Sequence, residues 1–398
     1  MSAVVLTNRL DLDSIASMAL KAAARFWFVV TVIGQWVFAF AVASFYGLTA
    51  LRGDYHGWGR FITHGHVPGD TAGNFAVAMH IASAVVVMSA GALQLVPQVR
   101  ARFPRFHRWS GRTYMLAAVG ISVAGLYMTW IRGSIGDISQ NIGSSLNAAA
   151  IWLCAGMALH YAIARDFRKH RRWAFRLFLV ASAAYFYRIA FFLTLLIFKG
   201  PVGFDPVTFT GPFPTIMSFA QFLVPLAVLE IYLRAHDGVG AFQRIATAGL
   251  LSALTLAMIG GLFAITMAVW VPDVKAGFEP RLSIAETLAT TIASRGIDEA
   301  TEQFHRLKAF KPATYNFDEG ELNALGYQLI RKKEFGQAIR ILELNVEAYP
   351  RSSNAYDSLG EAHMDDGNKA QAIADYRKAI QLNPNNGNAA AMLRKLAR

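Results

Sequence analysis

Seven runs of roughly twenty apolar residues constrain this chain more than any other feature. They are Phe26–Leu51, Phe75–Pro97, Thr113–Ile131, Leu146–Ala164, Trp173–Phe198, Thr215–Leu233 and Ile245–Val271. Backbone amides inside hydrocarbon must be satisfied within their own segment, so each run predicts a membrane-crossing helix. Only 16% of the residues are charged, and those are sparse until the last ~120 positions, where Glu, Asp, Lys and Arg mix freely. That step predicts a water-soluble domain after the seventh run. The expected division is a cytoplasmic segment over 1–25, a membrane domain over 26–271 with its core at 74–198, a linker over 272–282, and a soluble domain over 283–398.

The excess positive charge sits in the connections, where it orients the helices. One set holds Arg100, Arg102, Arg105, Arg108, Arg165, Arg168, Lys169, Arg171, Arg172, Arg234 and Arg244, and the N-terminal segment adds Lys21 and Arg25; the other set holds only Arg52, Arg60, Arg132 and Lys199. Basic connections stay in the cytoplasm. An odd number of crossings then predicts a cytoplasmic N-terminus and a soluble domain outside the cytoplasm, periplasmic for a bacterial inner membrane. The same distribution accounts for the net charge of +12 without nucleic acid as a partner. The bilayer is the expected partner of the helices. Leu10–Ala24 reads as an amphipathic helix with no cleavage pattern, so an uncleaved signal anchor is expected. The single cysteine, Cys154, lies inside an apolar run and reads as packing.

A fixed period governs the soluble domain. Leu325-Gly326 recurs as Leu359-Gly360, Ala338 as Ala372 and Pro350 as Pro384, each 34 residues on. Small residues let paired helices approach, and proline stops the second helix. The second copy, with Tyr356, Leu359, Gly360, Ala372, Tyr376 and Pro384, resembles the tetratricopeptide repeat; His363 stands where an aromatic is usual, and the first copy is looser. Ser283–Ser294 with Asp298–Lys308 looks like a degenerate repeat, and Asn388–Leu396 like a capping helix. The resemblance implies a protein partner held in the groove of first helices, at Asn323, Tyr327, Asn354, Asp357 and Glu361. The fold class is therefore all-α, a polytopic transmembrane helix bundle followed by a tetratricopeptide-type α-solenoid.

Within the membrane domain, Arg105-Phe106-His107-Arg108-Trp109-Ser110-Gly111-Arg112 and Arg168-Lys169-His170-Arg171-Arg172-Trp173-Ala174-Phe175-Arg176 are variants of one basic turn. Each follows a helix carrying another histidine, His80 or His160, so spans two to five read as two helix pairs. With Gly91, Gln94 and Arg100, the region from Asn74 to Phe192 resembles the bacterial membrane family labelled domain of unknown function 2306. That resemblance implies a membrane protein and no defined activity.

Ionisable groups inside spans are costly and mark candidate sites. Arg188 lies about ten residues, or ~15 Å, from the outer end of its span, with no acidic residue expected at that depth. A bound anion is one expected partner and backbone carbonyls are the other; Arg112 and Arg176 are further anion-binding candidates. Four histidines, His80, His107, His160 and His170, are candidate axial ligands for a b-type haem, with His107 and His160 expected to pair near the cytoplasmic face and His80 near the outer boundary. In the outer loop, His64 and His66, with Asp54 and Asp70 nearby, are candidate ligands for a transition metal, and a flexible periplasmic loop without metal is the favoured reading. Pro225 predicts a kink in the sixth span and Gly260-Gly261 close packing in the seventh. No Walker loop, HExxH or nucleophile elbow occurs, so no catalytic residue is assigned. The reading is a ligand-binding or redox membrane core with a periplasmic interaction domain. The alternatives are a haem electron carrier, a transporter-like bundle or an anchored adaptor.

Overall fold

The computed structural model describes residues 12–396 apart from positions 54, 56, 57, 60, 61, 63, 68, 207, 239, 279, 280 and 313. Two compact units divide at Phe278. The first is a helical membrane bundle and the second an α-solenoid.

Among the described residues, six helices are long and apolar enough to cross a membrane: Leu12–Leu51, Thr71–Leu95, Pro104–Trp130, Ile138–Ile163, Pro212–Asp237 and Ala241–Phe278. A bent pair, Phe167–Ala181 and Ala183–Phe198, angled by 50°, makes a seventh where its two halves count as one span. Two expectations change here. The first helix starts at Leu12 rather than Phe26, because Leu12–Ile33 contains no Gly or Pro and is rich in alanine, so the amphipathic segment and the span form one helix. The seventh continues as helix over Val271–Phe278, where a linker was expected; Pro272 sits in the first turn of that segment, where proline is tolerated. A sharp bend that no expectation covered falls at Ser182 in the fifth, and the sixth helix continues through Pro225 without a break.

The bend has a local cause. Ser182 leaves the helical conformation (φ −94°, ψ 6°), and the Gln35 amide of the first span donates to its hydroxyl at 2.9 Å. Nearby, the Tyr185 hydroxyl donates to the Thr31 carbonyl at 3.3 Å. The first span therefore supplies polar partners where the fifth breaks, which is how a buried kink stays satisfied. Close approach requires small residues on both flanks. A Cβ at Gly34 would collide with the Tyr185 hydroxyl, and one at Gly261 with the Ile189 carbonyl.

Spans two and three pack together, as do span four and the first half of span five, so the expected helix pairs exist as packing units. The first span lies against the seventh, which also covers the second half of the fifth. Phe38, Met88, Tyr114, Ile151, Tyr185, Phe222 and Trp270 lie at the centre of the bundle. Val29, Ile33, Phe40, Leu116, Leu256 and Phe263 face outward, as expected of a lipid-facing surface.

The second unit contains helices Ile284–Arg295, Ile297–Phe310, Glu319–Arg331, Phe335–Ala348, Ser353–Asp365, Lys369–Leu382 and Gly387–Leu396. The period is a packing period. Gly326 faces Leu342 and Gly360 faces the Tyr376 ring, where a Cβ would come within 2.6 Å and 3.0 Å respectively. Ala338 and Ala372 are fully buried. The degenerate first pair is joined to the rest by a two-residue parallel strand pairing, Leu282 with Tyr315 and Ser283 with Asn316, which the helical pattern did not predict. Buried Glu321 fastens this junction, accepting from Ser283 Oγ at 2.5 Å, Ala285 N at 3.3 Å and Asn316 Nδ2 at 3.1 Å. A carboxylate suits the N-terminus of the helix that begins at Ile284.

Candidate functional site

The polar layer of the bundle is built around Arg188 and His80. The Arg188 guanidinium donates to the Ala184 carbonyl at 2.9 Å and lies 5.5 Å above the Phe38 ring. Tyr46 and Tyr187 share its electrostatic surroundings. A guanidinium has five N–H donors, so one carbonyl leaves most of them for other acceptors. The carbonyl expected as a partner is present. His80, expected near the outer boundary, lies within electrostatic reach of Arg188. Its Nδ1 is buried and has no hydrogen-bond partner. The ring stands opposite Gly125 of the third span, where a Cβ would lie 3.8 Å from it. Buried polar atoms are normally satisfied, so an open imidazole nitrogen within electrostatic reach of a guanidinium is unusual.

At the other end of the bundle, the two basic motifs prove to be helix starts rather than turns. Pro104 opens one helix; Asp166 caps the other, accepting from Lys169 N at 3.0 Å. The backbone bond and the Lys169 side chain hold the Asp166 carboxyl below its ordinary range. In both motifs an arginine three residues after a tryptophan covers its ring, Arg112 over Trp109 at 5.0 Å and Arg176 over Trp173 at 4.8 Å. This common geometry joins the two motifs more firmly than their letters do. Arg176 is also engaged by Glu230, at 2.7 Å from Nη2, and Arg172 by Asp237. Arg176 thus has a protein carboxylate where an external anion was expected, whereas Arg112 is exposed.

The histidines sort differently from expectation. His160 is exposed and packs edge-on against Tyr161, with ring centres 5.0 Å apart. His107 is half-buried and lies within electrostatic reach of His170. His170 directs Nδ1 at the Ala158 carbonyl, 2.8 Å away. In the outer loop, His66 stacks on Tyr55 at 4.5 Å. His64 instead lines a small pocket with Asp70, Tyr127 and Arg132. Arg132 bridges that loop to the second span, contacting Asp70 at 3.3 Å, the Gly65 carbonyl at 3.1 Å and Asn74 Oδ1 at 3.1 Å. Asp54 lies outside the described residues. Among the described residues, no group of three or more His, Cys, Asp or Glu side chains is placed to hold a metal ion.

In the solenoid the expected groove residues are tied to one another, three of the bonds running between successive first helices and the Asn345–Asn323 bond within one repeat. Tyr327 donates to Glu361 at 2.8 Å, Asn354 to Glu319 at 2.8 Å, Asn388 to Asp357 at 2.9 Å and Asn345 to Asn323 at 3.2 Å. Glu319, Asp357 and Glu361 give this face an acidic character. Burial raises the Asp357 carboxyl above its ordinary range, and it pushes the Tyr327 hydroxyl up to about 12. Glu319 and the His363–Asp375 pair were not anticipated; that pair, 2.8 Å apart, fills the place of the usual aromatic.

No curated protein and no solved structure matches the chain. Two family models do. Residues 353–386 match the tetratricopeptide repeat, a protein-interaction module. Residues 77–233, from the second span through most of the sixth, match the family described as predicted membrane protein (DUF2306), so this chain is a multi-pass membrane protein that joins a DUF2306 region to a C-terminal tetratricopeptide repeat.

Proposed function

We propose that this protein is a bacterial inner-membrane receptor whose bundle holds a small anionic ligand at Arg188 and His80, and whose repeat domain engages a protein partner in the periplasm. One observation carries the ligand-binding part: a guanidinium inside a membrane span meets one carbonyl and one ring face, within electrostatic reach of an imidazole whose buried Nδ1 has no partner. An anion at this layer would accept from Arg188 and from a protonated or suitably tautomeric His80. Charge-assisted bonds of this kind are strong where water is scarce. The charge asymmetry of the connections supports the orientation.

Thermal unfolding of the detergent-purified protein, titrated with acetate, benzoate and inorganic phosphate, tests the ligand site. At least one anion is expected to raise the midpoint, and Arg188→Gln to remove that rise while His64→Ala retains it. Equal responses in all three proteins would sink the reading. A C-terminal alkaline phosphatase fusion should be active, and an inactive but fluorescent C-terminal fusion would reverse the orientation.

A second reading, b-type haem, keeps one observation in its favour. A metal-bound imidazole usually gives its other nitrogen to a carbonyl, and His170 has that arrangement with Ala158. The pairing this supports is His107 with His170, in place of His107 with His160. Reduced-minus-oxidised spectra should then show sharp bands that His170→Ala removes. A featureless spectrum after expression with ample haem would end this reading.

A further inference from the structure

A cavity of about 790 Å³ lies on another side of the bundle from the Arg188 layer, walled by spans one, five, six and seven. Its walls are apolar, with Phe178, Leu193, Val224 and Met258 among them. Neither His80 nor Arg188 lines it. Along the sixth span it extends from Tyr232 to Met217, or ~22 Å at the helical rise. Half a bilayer's hydrocarbon is ~15 Å thick, so the cavity runs from one interface past the midplane.

Its two ends differ in charge. At the end near the basic motifs stand Lys21 and Arg25, one helical turn apart on the first span, with Gln98 beyond the second span. Both cations are exposed. The carboxylates nearest this rim along the sixth span are already engaged, Glu230 by Arg176 and Asp237 by Arg172. Asp13, on the same helix as Lys21, faces Arg244 at 3.8 Å. The rim therefore presents two cations to whatever enters. Part way down, Pro225 has no N–H to offer the Gln221 carbonyl, and both residues line the wall.

We infer that this cavity is a binding site for one anionic amphiphile, its long hydrocarbon tail laid between spans one, five, six and seven and its phosphate or carboxylate head at Lys21 and Arg25. The shape selects a tail longer than half a bilayer, and the rim selects a negative head. Between the rim and the far end most of the wall is apolar, which suits hydrocarbon better than a file of water. An anionic phospholipid, a polyprenyl phosphate and a free fatty acid share this chemistry and differ in mass.

Native mass spectrometry of the full chain, exchanged into a lipid-free detergent, tests the site. The expected result is one retained anionic amphiphile per chain, its mass naming which of the three sources supplies it. Lys21→Ala with Arg25→Ala should cut the retained anionic fraction about tenfold relative to zwitterionic lipid. Ala220→Trp, which places an indole in the cavity, should abolish retention, with circular dichroism and gel filtration showing an intact bundle. Should Ala220→Trp fail to fold, Val224→Phe provides the same blockage with less added volume. Protein that flies without lipid, or retained lipid whose headgroups match the bulk membrane and ignore both sets of variants, would overturn the inference. Arg188→Gln should leave retention unchanged, so failure of this site and failure of the anion layer are separately visible.

Discussion

The Arg188 guanidinium lies over the face of Phe38, with 5.5 Å between its carbon and the ring centre. A planar cation can stack on a ring while its edge still donates to the Ala184 carbonyl; an ammonium cannot hold both positions in the same way. Phe38→Leu is therefore expected to cost about 0.5–2 kcal/mol through loss of the cation–π contact. Arg188→Lys should be nearly as damaging as Arg188→Gln. Thermal unfolding in a single detergent checks both, and a fully tolerated Arg188→Lys would show that charge alone is required.

Gly34 and Tyr185 make a steric prediction. A methyl at position 34 meets the Tyr185 hydroxyl and the Leu262 side chain, so Gly34→Ala should destabilise the bundle by about 1–3 kcal/mol. Adding Tyr185→Phe removes the oxygen and should recover part of the loss. Additive damage in the double variant would mean that the two helices do not approach as described.

Arg176 and Glu230 should show up in a double-mutant cycle. Both side chains are part-exposed, at 21% and 42%, so their coupling should be below about 1 kcal/mol. The informative outcome is its sign: Arg176→Ala and Glu230→Gln together should cost less than the sum of the two alone.

The repeat domain supplies a pH prediction. Asp357 and Asp375 are both raised by burial, offset in part by Asn388 and by His363 respectively. A carboxyl raised in the folded state favours folding while protonated. That contribution is present below the unfolded carboxylate pKa and is lost as pH rises through the folded one. Asp357→Asn should therefore raise the melting temperature of a 283–398 fragment by a few degrees at neutral pH. The gain should vanish as pH falls through the carboxylate range. A gain that is constant with pH would assign the effect to something other than charge burial.

That fragment should also be soluble and helical alone, because Leu288, Phe304, Leu325 and Ile341 bury one another within it. Gly360→Trp should unfold it, since the indole would enter the space of the Tyr376 ring. Circular dichroism decides both, and a coil-like parent spectrum would refute the first.

The membrane helices and the 34-residue period were legible because each leaves a long, repeated signal in the sequence. Less legible were features set by contacts between distant segments. Nothing in Val180-Ala181-Ser182-Ala183 announces a bend; the side chain that donates to Ser182 there is Gln35, 147 positions away. Counting along apolar runs gives His80 and Arg188 a depth each and no relation between them. In fact the helix bearing His80 starts at Thr71, four residues before its apolar run, and the span bearing Arg188 is bent. Depth along the helices suggests pairing His107 with His160, whereas the structure shows His107 within electrostatic reach of His170. The Trp-x-x-Arg spacing shared by Trp109–Arg112 and Trp173–Arg176 was present in the letters and carried the likeness of the two motifs. The Glu230 partner of Arg176 was visible as a residue and not as a contact.

The first and last membrane helices each loosen into a π-helical turn, Ala43–Gly47 and Thr266–Trp270. Each α-helical residue turns the chain by about 100°, so a turn that absorbs one extra residue resets which way everything beyond it points. Beyond the first of these, Thr49 meets the Trp58 indole at 2.9 Å and Arg52 reaches the Gly277 carbonyl at 2.6 Å. A deletion of one residue within Ala43–Gly47 would tighten the turn to an ordinary α-helix while leaving Phe38 in place and keeping Thr49 on its present bearing. An insertion anywhere else in that helix would swing the two ends out of phase. The length of this span is thus adjustable at one address only.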